Sequence, residues 1–262
     1  MSRKALGPLA AALAIALAAA GCAGGRGAGT GEQRSPADVY AEVLGRNAGL
    51  SSLRAVVEAR FAVGGTRATL PGVLVLDSFG GFRLDVLDPV DRPVAIFFTE
   101  GDRIVQYRPG TGFASSLAVF TKECGNVGPE AWVPAVTASG SRPVAGERLE
   151  VRRLWGGERV LERSRDGELR QSVRLREEHG ALVPRLVSWY CGGDAVMQLR
   201  PSQWIQAGPW RLPTRLSLSY AQAGLSLELE LREIEGNPPS TGSPLRPVLS
   251  PETRWTSWHL PR

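Results

Sequence analysis

From Leu53 onward the chain alternates. Leu53, Ala55, Val57, Ala59, Phe61 and Val63 take every second position and Arg54, Glu58 and Arg60 fall between them, the period-two pattern of a strand with one buried and one wetted face. The same texture fills Ala68 to Ser78, Gly81 to Leu87, Pro93 to Thr99 and Arg103 to Arg108. Turn residues mark the breaks at Gly64-Gly65, Gly80-Gly81, Asp88-Pro89 and Glu100-Gly101-Asp102, so these five strands predict an antiparallel meander. Strand texture returns in Glu147 to Trp155, Arg159 to Ser164, Leu169 to Arg176, Leu182 to Tyr190, Ala195 to Arg200, Pro213 to Ala221 and Leu225 to Ile234. Turns again separate them, at Gly156-Gly157, Asp166-Gly167, His179-Gly180, Gly192-Gly193-Asp194 and Ala223-Gly224. Roughly a dozen short, evenly spaced strands imply one large curved sheet or barrel.

Two stretches break the alternation. Pro36 to Gly49 carries Val39, Val43 and Leu44 at helical spacing, with Ser35 placed as N-cap and Pro36 at the first helical position, which predicts a short amphipathic helix. Between Gly110 and Gly140, Ser115 to Lys122 and Pro129 to Thr137 read as two short helices with Leu117, Phe120, Trp132, Val133 and Val136 on them. They are expected to cover one face of the sheet. Val73-Leu74-Val75-Leu76 and Val94-Ala95-Ile96-Phe97-Phe98 are apolar in both phases, which a sheet with one solvated face does not need. Two arrangements satisfy this: a sandwich core, or a curved sheet whose apolar concavity is partly filled by helices and open to a lipid.

The N-terminus is a targeting segment. Arg3 and Lys4 precede the uncharged run Ala5 to Ala20, which is shorter than a spanning helix needs, and Ala19-Ala20-Gly21-Cys22 looks like a bacterial lipoprotein cleavage site. Cys22 is then the lipidation residue, whose attached acyl chains give stable anchoring. The alternative is an ordinary secretory signal cut at an Ala-x-Ala site, with Cys22 incidental. Ala23 stands where an Asp would signal retention at the inner membrane, which tilts the expectation to the outer one. The organisation is thus residues 1–21 signal peptide, 22–35 Gly-rich tether, 36–236 folded domain and 237–262 a Pro/Ser-rich tail. The tail is either mobile or docked back through Trp255 and Trp258, whose indoles also suit a membrane interface.

Composition narrows the chemistry. The formal charge is +5, of which Arg3 and Lys4 supply two. The Arg-rich stretch Arg152 to Arg176 alternates with Glu and Asp, so it reads as a solvated strand face and not as a nucleic-acid surface. Cys124 and Cys191 are a candidate disulfide pair in an oxidising compartment, with two buried small side chains as the other reading. The only histidines, His179 and His259, have no partners at metal-ligand spacing. There is no nucleophile elbow, phosphate loop or Cys-x-x-Cys. Neither an enzyme nor a cofactor or metal site is expected.

The order of parts, lipobox, tether, helix, five-strand meander, helical interruption and further strands, resembles the LolA/LolB superfamily, with a lipidated chain most like its LolB branch. The resemblance is densest over Gly80 to Tyr107. There Phe82-Arg83-Leu84-Asp85-Val86-Leu87-Asp88-Pro89-Val90 and the strand Val94 to Phe98 mirror the family run of Arg, alternating apolar residues, Pro, an apolar residue and Gly, followed by a strand and turn. Asp91 stands where the family often has Gly, and Val90 where it usually has Leu. Gly208-Pro209-Trp210-Arg211-Leu212-Pro213 adds a looser match.

The resemblance implies a mainly β fold with short helices, in which a curved antiparallel sheet forms an open half-barrel with a helical lid. By strand phase the cavity lining would be Leu53, Val57, Phe61, Val75, Leu84, Val86, Ile96 and Phe98, although an ordinary core would use the same residues. The lid would be Leu117, Phe120, Trp132 and Val136. Val90 would be the exposed apolar residue that helps deliver cargo to the membrane. The implied function is a lipid-anchored, periplasm-facing outer-membrane protein that binds the acyl chains of lipoproteins or lipids and helps insert them, supplied by a periplasmic carrier. The alternative is a cell-envelope interaction module that binds a protein or peptide on the same fold.

Overall fold

The computed structural model describes residues 34–47, 49–63, 65–77, 81–100, 103–118, 145–220, 224–238 and 245–257. From Ser35 onward the chain forms one compact unit. It opens with helix α1 (Pro36–Gly45), started by a reciprocal cap. The Ser35 hydroxyl accepts from the Asp38 N–H at 3.1 Å and the Asp38 carboxylate accepts from the Ser35 N–H at 3.2 Å, which satisfies two otherwise orphaned donors. Val39, Tyr40 and Val43 form its buried stripe.

The strands are β1 (Ser52–Val63), β2 (Thr66–Asp77), β3 (Phe82–Leu87), β4 (Pro93–Glu100), β5 (Arg103–Arg108), β6 (Phe113–Ala118), β7 (Glu147–Arg153), β8 (Arg159–Arg165), β9 (Glu168–Glu178), β10 (Ala181–Cys191), β11 (Asp194–Ala207), β12 (Trp210–Tyr220), β13 (Leu225–Gly236) and β14 (Arg254–Ser257). They make one sheet of 14 strands in the order β14-β6-β5-β4-β3-β2-β1-β13-β12-β11-β10-β9-β8-β7. Every pairing is antiparallel except β14 with β6. Edges β14 and β7 do not meet, so the sheet stays open. Asn237, at φ 50°, fastens its middle: its side-chain oxygen accepts from the Ser51 and Ser52 N–H groups at 2.7 and 3.0 Å, and its amide donates to the Gly49 carbonyl at 2.7 Å.

The curvature shows in one contact. Phe61 of β1 stands opposite Ala68, and Phe97 of β4 opposite Leu84, itself opposite Leu74. On a flat sheet three strand spacings and six residues of offset would put such positions roughly 25 Å apart, yet the two rings stack with centroids 6.2 Å apart. The face carrying both rings is therefore concave. Gly72 marks the bend, because it is the last residue of β2 paired with β3 and a Cβ there would lie 2.5 Å from the Asp85 carbonyl oxygen. Leu53, Val57, Leu74, Leu84, Val86, Leu216, Leu229 and their neighbours fill this inner face, and α1 packs over β7, β8 and β10 on the same side.

Three expectations change. Ser115 to Ala118 belong to strand β6, not to a helix; Ser and Ala make the period-two pattern faint, and the open edge of β5 captures the backbone. The rest of the expected helical interruption lies outside the described residues. β11 runs to Ala207, well past Arg200, because it keeps one constant register against β12 through the Trp204–Pro213 and Ala207–Trp210 pairs, with Gln203 at φ 55° inside it. The segment after residue 236 docks back. Leu245 packs on Gly81, Arg246 meets Glu100 at 2.7 Å, Pro247 is buried, Leu249 packs on Ile96, Phe98, Val105, Tyr107 and Ala114, and the Arg254 N–H donates to the Gly112 carbonyl at 2.9 Å as β14 begins. Cys191 is disulfide-bonded, and Cys124 lies outside the described residues.

Replacing Gly72 by Ala forces Asp85 to move and is expected to cost about 1–3 kcal/mol, read as a lower thermal midpoint. Gly45→Ala, with nothing within 4 Å of the added carbon, is expected to be neutral or to stabilise by up to about 1 kcal/mol.

Candidate functional site

Strand pairing assigns each expected lining residue to a face, since residues directly opposite one another in an antiparallel ladder share it. Leu53, Val57, Phe61, Leu84 and Val86 lie on the inner face. Val75, Ile96 and Phe98 do not: Val75 stands opposite Arg83, Arg83 opposite Phe98, and Ile96 opposite Asp85 and Tyr107, all on the outer face. These three leave the lining set. Phase within one strand cannot orient a strand that is apolar in both phases, and the outer phase here is covered by Leu249. The residue of β4 on the inner face is Phe97, opposite Leu84.

Sequence reasoning also missed the far wall. Leu227, Leu229 and Leu231 of β13 continue the inner face from Phe61, Ala59 and Val57, and Leu216 and Leu218 of β12 and Leu199 of β11 carry it on. The strict alternation Leu225-Ser226-Leu227-Glu228-Leu229-Glu230-Leu231 was the available signal. On the outer face the same strands hold Glu58, Arg60, Arg215, Glu230 and Arg232 in a solvated ion-pair lattice. Beneath α1 the inner face turns polar: Arg163 on β8 meets Glu147 on β7 at 3.1 Å, beside Gln171. Burial lowers the Arg163 guanidinium from its ordinary range, and the Glu147 charge opposes this. Of the expected lid, Leu117 sits on β6 opposite Ile104, whereas Phe120, Trp132 and Val136 lie outside the described residues, as does Cys22. Among the described residues no group of His, Cys, Asp and Glu converges to hold a metal ion.

The turn between β3 and β4 is rigid. The Asp88 carboxylate accepts from the Val90 N–H at 2.9 Å, the Arg92 N–H at 3.0 Å and the Arg92 guanidinium at 2.9 Å, and the Asp88 N–H donates to the Arg92 carbonyl at 2.9 Å. Asp91 takes φ 60°, the left-handed conformation that favours Gly and that Asp tolerates. The result holds Val90 outward, 66% exposed. Val94 (44%), Phe113 (41%) and Trp255 (51%) are exposed at the same end of the sheet, since Ile96, Tyr107 and Ala114 pair side by side, β5 and β6 turn at Pro109 to Gly112, and Trp255 stands beside Ala114.

No family model matches the sequence, and no curated protein is significantly similar to it. Solved structures do match the fold. A DUF1329 family protein from Desulfovibrio piger aligns with TM-score 0.53 and 12% identity over 77% of this chain and 92% of its own. A domain described as an outer membrane lipoprotein-sorting protein domain from Vibrio parahaemolyticus aligns with TM-score 0.52 and 16% identity over 76% and 91%. A LolA superfamily protein from Nitrosomonas europaea gives 0.50 and 14% over 78% and 94%. The chain has a LolA/LolB-like fold: one open, curved, mainly antiparallel sheet with its apolar face turned inward.

The backbone N–H of Arg92, together with the Arg92 side chain and the Val90 N–H, holds the Asp88 carboxyl below the ordinary carboxylate range. A depressed folded-state value means that this contribution is fully present above the unfolded value near pH 3.9 and is lost as pH falls through the folded one. Hydrogen exchange at the Val90 and Arg92 amides is expected to rise in Asp88→Ala at neutral pH, and in the unaltered protein only when Asp88 protonates.

Proposed function

We propose that this chain is a lipid-anchored outer-membrane protein that binds the acyl chains of lipoproteins or lipids against its inner face and helps insert them into the membrane. The observation that carries this reading is the continuous apolar inner face from β4 through β1 to β11 in a sheet that remains open, ending beside a rigid turn that presents Val90 to solvent. An acyl chain in water costs about 0.8 kcal/mol per CH₂, so a carrier must offer apolar area of matching length and still release the chain. An open sheet can do both, because its inner side chains are held together by curvature and not by a closed ladder. The fold shared with the lipoprotein-sorting domain of Vibrio parahaemolyticus supports this reading, and Cys22 supplies the anchor.

Delivery belongs to the exposed end. Val90, Val94, Phe113 and Trp255 form an apolar rim interleaved with the exposed Arg92, Arg108 and Arg254, and aromatic and cationic side chains together suit the membrane interface. Phe61 and Phe97, only partly buried, lie where an entering chain would part the stacked rings.

Residues 31–262, expressed in a periplasm and purified without detergent, are expected to carry acylated species detectable by native mass spectrometry and lipid extraction. An empty, folded protein that captures an envelope protein instead would replace this reading with the interaction module. Val90→Glu is expected to reduce transfer to vesicles about tenfold, the effect of roughly 1.4 kcal/mol, while leaving the bound acyl content unchanged. Equal loss of both would remove the delivery role from the turn.

A further inference from the structure

At the C-terminal cap of α1 stands a cation whose partners are missing. Arg46 lies over the Trp204 ring, 5.9 Å from its centroid. Both of its Nη atoms are covered, as is the Trp204 indole nitrogen, and among the described residues none of the three has a hydrogen-bond partner. The nearby acids are committed elsewhere. Glu42 accepts from the Leu182 N–H at 3.0 Å, and Glu178 pairs with Arg185 at 2.8 Å and with Arg211 at 3.6 Å. Arg211 adds a second positive charge; burial first, and then that charge, lower the Arg46 guanidinium from its ordinary range, while the Glu42 and Glu178 charges oppose this. The carbonyl end of α1 favours a cation there, but only weakly.

The covered Arg46 Nη atoms and the Trp204 indole N–H are all donors, and what these three lack is an acceptor. A covered guanidinium without a partner is among the costlier features a fold can retain. Trp210 and Leu212, which alternate along β12 with Arg211 and with Pro213 opposite Trp204, pack into the inner core.

We propose that Arg46, Arg211 and the Trp204 N–H bind the anionic group, phosphate or carboxylate, of an acyl-bearing ligand whose chain runs past Trp210 and Leu212 onto the inner face. The inference rests on the carrier reading and sharpens it: the cargo is an amphiphile with a negative head, not a neutral lipid. Guanidinium and indole donors address oxygen lone pairs with geometry that an alcohol cannot reproduce, so the site selects among ligands with equal chains.

The test is calorimetric titration of residues 31–262 with dodecyl phosphate, dodecanol and inorganic phosphate. Dodecyl phosphate is expected to bind about tenfold or more tightly than dodecanol, the span of a charge-assisted hydrogen bond, and Arg46→Gln to abolish that difference while dodecanol binding stays unchanged. Arg46→Leu, which removes an unpaired buried charge, is expected to raise the melting temperature of the ligand-free protein. A lowered melting temperature in Arg46→Leu, with discrimination unchanged in Arg46→Gln, would make Arg46 a structural residue and overturn the site. Equal binding of dodecyl phosphate and dodecanol by the unaltered chain would overturn it too, yet leave the carrier standing. Binding of inorganic phosphate without either dodecyl compound would assign the cluster to a free anion and defeat the acyl-bearing ligand and the carrier together.

Discussion

Strands β3 to β5 carry apolar side chains on both faces, and an open sheet can curl toward only one of them. The rest of the molecule follows from how that constraint is met. Curling toward Leu84, Val86 and Phe97 brings β1 to β4 against β11 to β13 and buries the inner phase. It leaves Ile96, Phe98, Val105 and Tyr107 outside, and the chain returns after Asn237 to cover them with Leu249 before adding β14 to the edge of β6. A closed barrel would have no strand edge to manage but also no mouth. This fold leaves the sheet open and covers the second apolar phase with its C-terminal segment.

The two faces then have separate roles. The outer face of β1, β12 and β13 is a lattice of Arg and Glu in water, where such pairs contribute little to stability. The inner face is apolar over most of its width and polar under α1, where Arg163 and Glu147 pair, and at the cap of α1 Arg46 sits against Trp204. The Val90 turn works on another principle. Its hydrogen bonds all lie within the turn, so an exposed apolar residue is held outward without any core contact.

Much of this was written in local pattern. The strands of the meander, the α1 cap at Ser35 and the position of Val90 follow from alternation, capping chemistry and turn residues, because each depends on neighbours within a few positions. Leu53, Val57, Phe61, Leu84 and Val86 fell on the inner face for the same reason, as each sits in a strand with one clearly apolar phase or is aligned by the family pattern. Val75, Ile96 and Phe98 were misplaced because their strands are apolar in both phases. β6 and β14 went unseen since an edge strand takes its stability from the neighbour it pairs with and not from its own Ser, Ala and Thr.

The sequence by itself determined α1, the one-sided inner strands and the tight turn that exposes Val90, since backbone dihedrals and side-chain period are local properties. Only the tertiary structure decided which apolar phase turns inward, that the C-terminal segment covers the other, and that Arg46 meets Trp204 across well over a hundred residues of chain. Those outcomes depend on register between distant strands and on the bend at Gly72, and register is fixed only when the whole sheet has found the arrangement that buries both apolar faces at once.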